Sequence, residues 1–233
     1  MKNFMMARGA EKIVTTCVKV QPGEEVLIIT EVEKFSIAES LAAAAYAKGG
    51  HVIISVIEPR MQDSAEPPHA IAAAMKQSDI FICVVGKSIT HTHAVKDAIT
   101  NGSRGVVLTQ FSEDMLVRGG IECDFEHAKL ECKAVAAAMA GAKDLLLTSP
   151  GGTHLRYSAE GRRGNTLYCM VEKGEFSTVP TVEANVSPLE GTANGVIVAD
   201  ASVPYIGIGV LERPIICEVK DGFIQSITGG KEA

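Results

Sequence analysis

Apolar and polar positions alternate between two periods over the first 143 residues. Mostly apolar runs predict buried strands, and the segments between them, with helical spacing, predict helices. The predicted strands are Val26–Thr30, His51–Ile57, Ile80–Val85 and Gly105–Thr109, and the predicted helices are Ser36–Lys48, Pro68–Gln77, Thr92–Thr100 and His127–Lys143. Strands that alternate with helices indicate right-handed crossovers and a mostly parallel sheet flanked by helices.

The pattern changes after residue 143, where short apolar runs and turn residues predict only strands. Pro150-Gly151-Gly152 separates two such runs and predicts a β-hairpin, and Asn194-Gly195 and Asp221-Gly222 predict further turns. The sequence therefore predicts an α/β protein in two parts. We expect residues 1–144 to form an α/β Rossmann-like domain and residues 145–233 to form a β-rich portion.

Composition supports a folded globular protein, because 46% of the residues are hydrophobic and 21% are charged. The net charge of -6, without a block of Lys or Arg, argues against nucleic acid or an anionic membrane surface as a partner. The longest apolar run, Leu41–Ala47, is too short to span a bilayer, and Met1–Met6 has no signal-peptide character. We expect a cytoplasmic location.

The six cysteines lie far apart and form no C-x-x-C or zinc-knuckle spacing. Most lie in apolar or helical stretches. We therefore predict buried, reduced thiols.

Gly86-Lys87-Ser88 matches the end of a phosphate-binding loop, but Phe81 occupies the position where that motif needs its first glycine. The sequence instead predicts a strand end with Ser88 or Thr90 as a helix N-cap. His91 and His93 follow the same strand. Residues i and i+2 of a helix point in nearly opposite directions, so we predict that the two imidazoles do not share a metal ion and that one or both hold the strand-to-helix turn.

Two further groups have a functional and a structural interpretation. Glu122–His127 brings together acid, thiol and imidazole groups, which suits a nucleophile or a metal cluster, but the segment also precedes a helix, where negative charges stabilise the first turn. Arg156, Arg162 and Arg163 have the residue type that clamps carboxylate or phosphate, but an exposed hairpin has the same composition. The structural interpretation is favoured for both groups.

Glu183 lies in Val179–Asp200, a few residues before Ser187-Pro188 and a glycine turn. A carboxylate at the end of a strand is a good ligand for hard or borderline divalent metals. This spacing suggests a metal ligand without identifying its partners.

The chain resembles the thermophilic-type leucyl aminopeptidases, the aminopeptidase T family of metallopeptidases. The matching segments occur in order along nearly the whole chain, and the strongest lie in its final third. They are Val20–Val26, Ser88–Ala94, Ser149–Thr153 with Glu160–Arg162, Glu175-Phe176, Pro180–Glu183, Ser187–Val196, and Val219–Ile224 with Gly229-Gly230.

The resemblance implies a metal-dependent aminopeptidase that releases amino-terminal residues from small peptides. Two divalent ions of zinc, cobalt or manganese would bind the scissile carbonyl and activate a water. The family's Pro-x-Gly-Glu segment corresponds to Pro180–Glu183, so Glu183 would be a metal ligand, although Val182 replaces the glycine. We expect a homo-oligomer. The catalytic residues remain unknown, and no general base is assigned.

The resemblance implies that residues 145–233 are the start of a metal-site domain. Members of that family continue into a region that carries their remaining metal ligands, so we expect residues 1–233 to lack a complete metal centre. An alternative resemblance is to 2,5-dihydroxypyridine dioxygenase, which holds one non-haem iron through two histidines and an aspartate. Asp221–Ile224 and Gly229-Gly230 support this alternative. A non-catalytic α/β binding module is the third hypothesis.

Overall fold

The computed structural model describes residues 2–203 and 208–233. Its α-helices are α1 (Lys2–Lys12), α2 (Phe35–Ala47), α3 (His69–Gln77), α4 (His93–Thr100), α5 (Glu113–Val117) and α6 (Phe125–Met139). A π-helical turn, Ile13–Cys17, continues α1, and 3-10 turns occur at Val32–Lys34 and Gly119–Glu122. Every described helix is too short or too polar to cross a membrane.

Fourteen strands lie in the described residues. They are β1 (Glu25–Thr30), β2 (His51–Val56), β3 (Ile80–Val85), β4 (Arg104–Thr109), β5 (Leu145–Thr148), β6 (His154–Tyr157), β7 (Asn165–Leu167), β8 (Phe176–Thr178), β9 (Glu183–Asn185), β10 (Asn194–Ala199), β11 (Ser202–Val203), β12 (Gly209–Val210), β13 (Ile215–Lys220) and β14 (Phe223–Thr228).

The chain divides into two compact units. Unit 1 comprises Met1–Cys132 and Leu167–Glu183, and unit 2 comprises Lys133–Thr166 and Ala184–Ala233. The expected boundary between residues 144 and 145 stays a prediction.

Unit 1 contains a parallel five-stranded sheet in the order β2-β1-β3-β4-β8. Alternate residues of its central strands enter two separate cores, because successive side chains point to opposite faces of a sheet. Ile28, Ile82 and Val106 belong to one core, which also includes residues of α1 and α2. Ile29 and Phe81 belong to the other core, which includes residues of α3 and α4. The α/β class with a mostly parallel sheet flanked by helices is confirmed.

Unit 2 contains an antiparallel five-stranded sheet in the order β14-β13-β10-β6-β5. The predicted hairpin at Pro150–Gly152 joins β5 to β6, and the one at Asp221-Gly222 joins β13 to β14. The predicted turn at Asn194-Gly195 was wrong, since both residues lie within β10. A Cβ added to Gly195 would lie 2.1 Å from the His154 backbone oxygen, so the glycine permits close strand approach.

The strand registers place a continuous set of uncharged residues on one face of this antiparallel sheet, because residues directly opposite each other share a face. We call this set the apolar face of unit 2. It comprises Leu145, Leu147, Leu155, Tyr157, Gly195, Ile197, Ala199, Ile215, Cys217, Val219, Ile224 and Ile227. The opposite face carries the charged residues Arg156, Glu218 and Lys220.

Candidate functional site

The carboxyl ends of β1 and β3 form the topological switch point of the unit 1 sheet. β1 pairs with β2 on one side and with β3 on the other, so the connections that leave these strands diverge. Open α/β sheets bind ligands in the crevice that this divergence creates. The chain places Glu31 directly after β1 and Gly86 directly after β3.

Glu31 is a buried carboxylate, with 2% of its surface exposed. Its Oε1 and Oε2 atoms each accept the Gly86 N–H at 3.0 Å. A Cβ added to Gly86 would lie 3.0 Å from Oε2, so glycine permits this close approach. A single N–H shared by two oxygens satisfies little of the hydrogen-bonding capacity of a carboxylate. Glu31 therefore offers spare acceptor capacity at the switch point, and nothing in the sequence pattern marked it for us.

The loop between β3 and α4 is held by several polar contacts. Asp63 Oδ1 accepts the Ser88 N–H at 2.7 Å, and the Ser88 carbonyl accepts the Ser64 N–H at 2.7 Å. The hydroxyl groups of Ser88 and Thr90 are 2.7 Å apart. The predicted helix cap at Ser88 or Thr90 was wrong: Thr92 is the N-cap of α4, and its hydroxyl accepts the Val95 N–H. The N-cap lies later than predicted because Ser88 and Thr90 make their hydrogen bonds within the loop.

The end of β4 adds further polar groups to the same edge of the sheet. The Thr109 hydroxyl is buried and has no hydrogen-bond partner among the described residues. Gln110 follows with a φ angle of 52°, and the Lys34 ammonium donates to the Phe111 carbonyl at 3.0 Å. We name Glu31, Gly86, Ser88 and Thr109 the switch-point cluster.

His91 and His93 are exposed, and His93 is the first residue of α4. Glu66 accepts the backbone N–H groups of His93 at 2.6 Å and of Ala94 at 3.2 Å, which satisfies the start of the helix. His93 and Glu66 also line a groove of about 420 Å³ together with His69 and Asp97. That the two histidines do not share a metal ion stays a prediction.

The Glu122–His127 segment has the contacts of a helix start. Asp124 Oδ1 accepts the His127 N–H at 3.1 Å, and Glu122 Oε2 accepts the Gly119 N–H at 2.9 Å. The His127 imidazole lies on the exposed surface, 3.4 Å from Glu131. These contacts support the structural interpretation of the segment.

Two of the three candidate arginines pair with carboxylates inside unit 2. Arg156 donates to Asp144 at 3.0 Å, and Arg162 pairs with Glu190. A backbone hydrogen bond lowers the pKa of Glu190 most, and the contact with Arg162 lowers it further. Arg163 is exposed. An anion clamp would need the N–H groups of these arginines for its ligand. Arg156 and Arg162 use them instead for ion pairs within unit 2.

Glu183 is exposed and is the first residue of β9. It follows a segment that contains a cis Val179–Pro180 peptide bond. Within the described ranges, no group of three or more His, Cys, Asp or Glu side chains could hold a metal ion. Glu183 as a metal ligand stays a prediction.

The family model of 2,5-dihydroxypyridine 5,6-dioxygenase (NicX) matches residues 6–233. The chain belongs to this dioxygenase family. Among solved structures, 2,5-dihydroxypyridine dioxygenase from Pseudomonas putida KT2440 shares the fold with a TM-score of 0.82 at 17% identity. That match covers 99% of this chain and 69% of the Pseudomonas chain.

AmpT from Thermus thermophilus shares the fold less closely. Its TM-score is 0.65 at 18% identity, and the match covers 98% of this chain and 72% of that chain. No curated protein matches the chain significantly. The sequence resemblance put the aminopeptidases first and the dioxygenase second. The family match and the higher TM-score reverse that order, because the motifs we used are spread over a fold that both proteins share.

Proposed function

We propose that the chain acts in the oxidative opening of a dihydroxylated pyridine ring, the reaction for which its family is named. The observation that carries this proposal is the family match over residues 6–233. The fold similarity to the Pseudomonas dioxygenase supports it, since the similarity extends over 99% of this chain.

A dioxygenase and a metalloaminopeptidase both imply a divalent metal, and ferrous iron is the metal that the first would use to activate oxygen. The donor groups of the described residues do not fit a complete centre, since no three of them come together for a metal ion. Glu183 is our proposed carboxylate ligand for the second candidate, the metalloaminopeptidase, and it is not assigned to the iron of a dioxygenase. Any further ligands have to come from outside the described clusters.

We assign the binding of the aromatic substrate to the switch-point cluster. Glu31 has acceptor capacity beyond the Gly86 N–H, and the Thr109 hydroxyl has no partner among the described residues. A hydroxyl group of a dihydroxypyridine can donate a hydrogen bond to the Glu31 carboxylate, and another polar atom of the ring compound can accept one from the Thr109 hydroxyl. Because Glu31 is 2% exposed, the residues around it must move for the substrate to reach its carboxylate.

The test is to incubate the chain with ferrous iron and 2,5-dihydroxypyridine under air and to follow dissolved oxygen and the ultraviolet absorbance of the ring. Because the described residues bring no complete metal centre together, the proposal predicts binding of the ring compound in an anaerobic titration, and any oxygen uptake should accompany loss of the ring absorbance. Thr109→Val should weaken that binding about tenfold, since one hydrogen bond is lost. Thr100→Val, on an exposed helix position, is the matched control. A ring compound that does not bind, or oxygen uptake without loss of the ring absorbance, would contradict the proposal.

Aminopeptidase activity is the second candidate, and the fold shared with AmpT is what favours it. The assay incubates the chain with zinc, cobalt or manganese and an aminoacyl-p-nitroanilide, and it measures the release of nitroaniline. Release of nitroaniline without oxygen uptake would replace the dioxygenase proposal with this one. A chain that is inactive in both assays and binds neither substrate fits the third hypothesis, a non-catalytic binding module.

A further inference from the structure

A pocket of about 340 Å³ lies between α1 and α5 in unit 1, and we call it the α1–α5 pocket. Its volume is at the small end of the range for ligand sites, roughly 300–1,000 Å³, so it suits a small metabolite. No residue of the switch-point cluster lines it. Its polar and charged lining residues are Arg8, Glu11, Lys12, Thr15, Thr16 and Glu122.

One wall of the α1–α5 pocket is apolar. Leu116 and Ile121 are buried there, and Val117 is half-buried. The two helices approach closely beside this wall, since a Cβ added to Gly9 would lie 1.9 Å from the Leu116 carbonyl oxygen. The wall therefore offers an aliphatic group a surface held in place by the packing of α1 on α5.

The π-helical turn that continues α1 supplies two hydroxyl groups to the same pocket. The Val18 N–H donates to the Ile13 carbonyl at 3.0 Å, five residues back, so this turn is wider than an α-helical one. Thr15 and Thr16 lie in the turn, and both are half-buried and line the pocket. Such turns occur frequently at functional sites. A hydroxyl can donate to a carboxylate or accept from an ammonium group, so these two suit a ligand charge of either sign.

Four charged residues line the pocket, two of each sign, and one of each sign already has a partner within the protein. The Lys12 ammonium donates to the Cys123 carbonyl at 2.6 Å and lies 4.5 Å from the centroid of the Phe125 ring. The Glu122 carboxylate accepts the Gly119 N–H at 2.9 Å. One positive and one negative charge are therefore left for a ligand.

These two charges belong to Arg8 and Glu11, three residues apart on α1. Opposite charges at this spacing on a helix are neighbours and commonly form an ion pair. Among the described residues, however, neither of them takes part in one. Both side chains are exposed and line the pocket. A ligand that carries both charges close together can therefore bind the two side chains at once.

We propose that the α1–α5 pocket binds a free α-amino acid with an aliphatic side chain. The Arg8 guanidinium binds the carboxylate of the ligand, and the Glu11 carboxylate binds its ammonium group. The apolar wall receives the aliphatic side chain. A simple anion would meet the charge of Glu11 and a simple cation that of Arg8, so a zwitterion is the class that uses both.

Ligand-observed NMR titration of the chain with leucine tests the proposal, with a chelator present to remove metal ions. We expect a dissociation constant of about 5 mM or tighter. Two analogues separate the contributions, because 4-methylpentanoate lacks the ammonium group of leucine and 3-methylbutylamine lacks its carboxylate. Each should bind at least about tenfold more weakly than leucine, since each loses a charged hydrogen bond.

Two variants assign the contacts to their residues. Arg8→Gln should weaken leucine binding at least about tenfold and remove the advantage of leucine over 3-methylbutylamine. Glu11→Gln should weaken leucine binding similarly and remove its advantage over 4-methylpentanoate. Arg163→Gln and Glu33→Gln change exposed residues outside the pocket, so these matched controls should leave leucine binding unchanged.

Four results would overturn the proposal. The first is a dissociation constant for leucine weaker than about 5 mM. The second is equal binding of leucine and either analogue, which would show that one of the two charges is not recognised. The third is equal weakening by a pocket variant and its control. The fourth is loss of leucine binding in Thr109→Val, which would place the amino acid in the switch-point cluster.

Discussion

The carboxylate of Glu31 binds the backbone N–H of Gly86 through both oxygens, each at 3.0 Å. This contact ties the end of β1 to the end of β3 where a ligand would enter the sheet. It also explains why a glycine follows β3, since a Cβ there would lie 3.0 Å from Oε2.

Removal of the Glu31 side chain should destabilise the protein, because it leaves the Gly86 N–H without its acceptor. We expect Glu31→Ala to lower the free energy of unfolding by about 1–3 kcal/mol. Glu31→Gln keeps an amide oxygen as acceptor and should cost less. Urea unfolding followed by circular dichroism measures both. Glu33→Ala, on the exposed surface two residues away, should stay within about 0.5 kcal/mol. Equal stability of Glu31→Ala and the unmodified protein would show that the contact contributes nothing.

Arg104 and Glu24 form a pair that should make stability depend on acidic pH. Arg104 donates to Glu24 at 2.9 Å and 2.6 Å, and its other N–H groups bind the carbonyls of Val18 and Lys19. Burial works to raise the pKa of Glu24, but the Arg104 and Gln21 hydrogen bonds outweigh it and hold the pKa below the ordinary 4.5. The pair therefore stabilises the fold fully above pH 4.5, and this contribution is lost as the pH falls through the lower folded pKa.

Urea midpoints measured between about pH 7 and about pH 3 test this dependence. Glu24→Gln should flatten the acidic part of the stability curve, and Arg104→Met should cost about 2 kcal/mol at neutral pH through the lost charged hydrogen bonds. Arg118→Met removes an arginine that pairs with Asp114 on the exposed surface, and it should change little. If the two arginine variants lose equal stability, the Arg104 contacts are no better than a surface pair.

Local patterns predicted the parallel sheet well because its central strands are buried on both faces. Ile80–Val85 matches β3 residue for residue, and all six of its residues are buried. The short strand β8, Phe176–Thr178, joins the same sheet beside β4. Three residues carry no usable periodicity, and only pairing with a distant strand defines them. Helix α1 was also missed, since Lys2–Lys12 mixes polar and apolar residues without a strong stripe.

The candidate site was harder to predict than the fold, because its groups depend on contacts between distant segments. Glu31 and Gly86 are 55 residues apart. No local motif distinguishes a buried glutamate after a strand from an exposed one. Glu183 was selected as a carboxylate at a predicted strand end and then through a family resemblance, and its role depends on partners that lie outside its own segment. Sequence reasoning therefore found strands and turns, but not the acceptor that lies at the switch point.

The cysteines should be reduced and should differ sharply in reactivity. Every cysteine is free, and Cys123 is exposed, whereas Cys17, Cys83 and Cys169 are buried. Burial raises the pKa of the Cys17 and Cys83 thiols well above the ordinary value, and it raises that of Cys169 to about 11. Thiolate is the reactive form, so these three should resist alkylation in the native protein. Mass spectrometry should show Cys123 labelled first and all six labelled after denaturation without reductant. A native disulfide in good yield would contradict this.

The last prediction concerns Glu183 and metal binding by the chain itself. A single carboxylate binds a divalent ion weakly because it competes with water of hydration, and the described residues bring no three ligand groups together. We therefore expect only weak binding of ferrous iron, zinc or cobalt, and no aminopeptidase activity. Anaerobic calorimetric titration measures the affinity. Glu183→Gln keeps the size but removes the charge, and it should weaken the residual binding with little loss of stability. Glu126→Gln, also exposed, should leave that binding unchanged. A tight stoichiometric site that survives Glu183→Gln would show that the metal ligands lie elsewhere and that Glu183 is an ordinary residue at the start of β9.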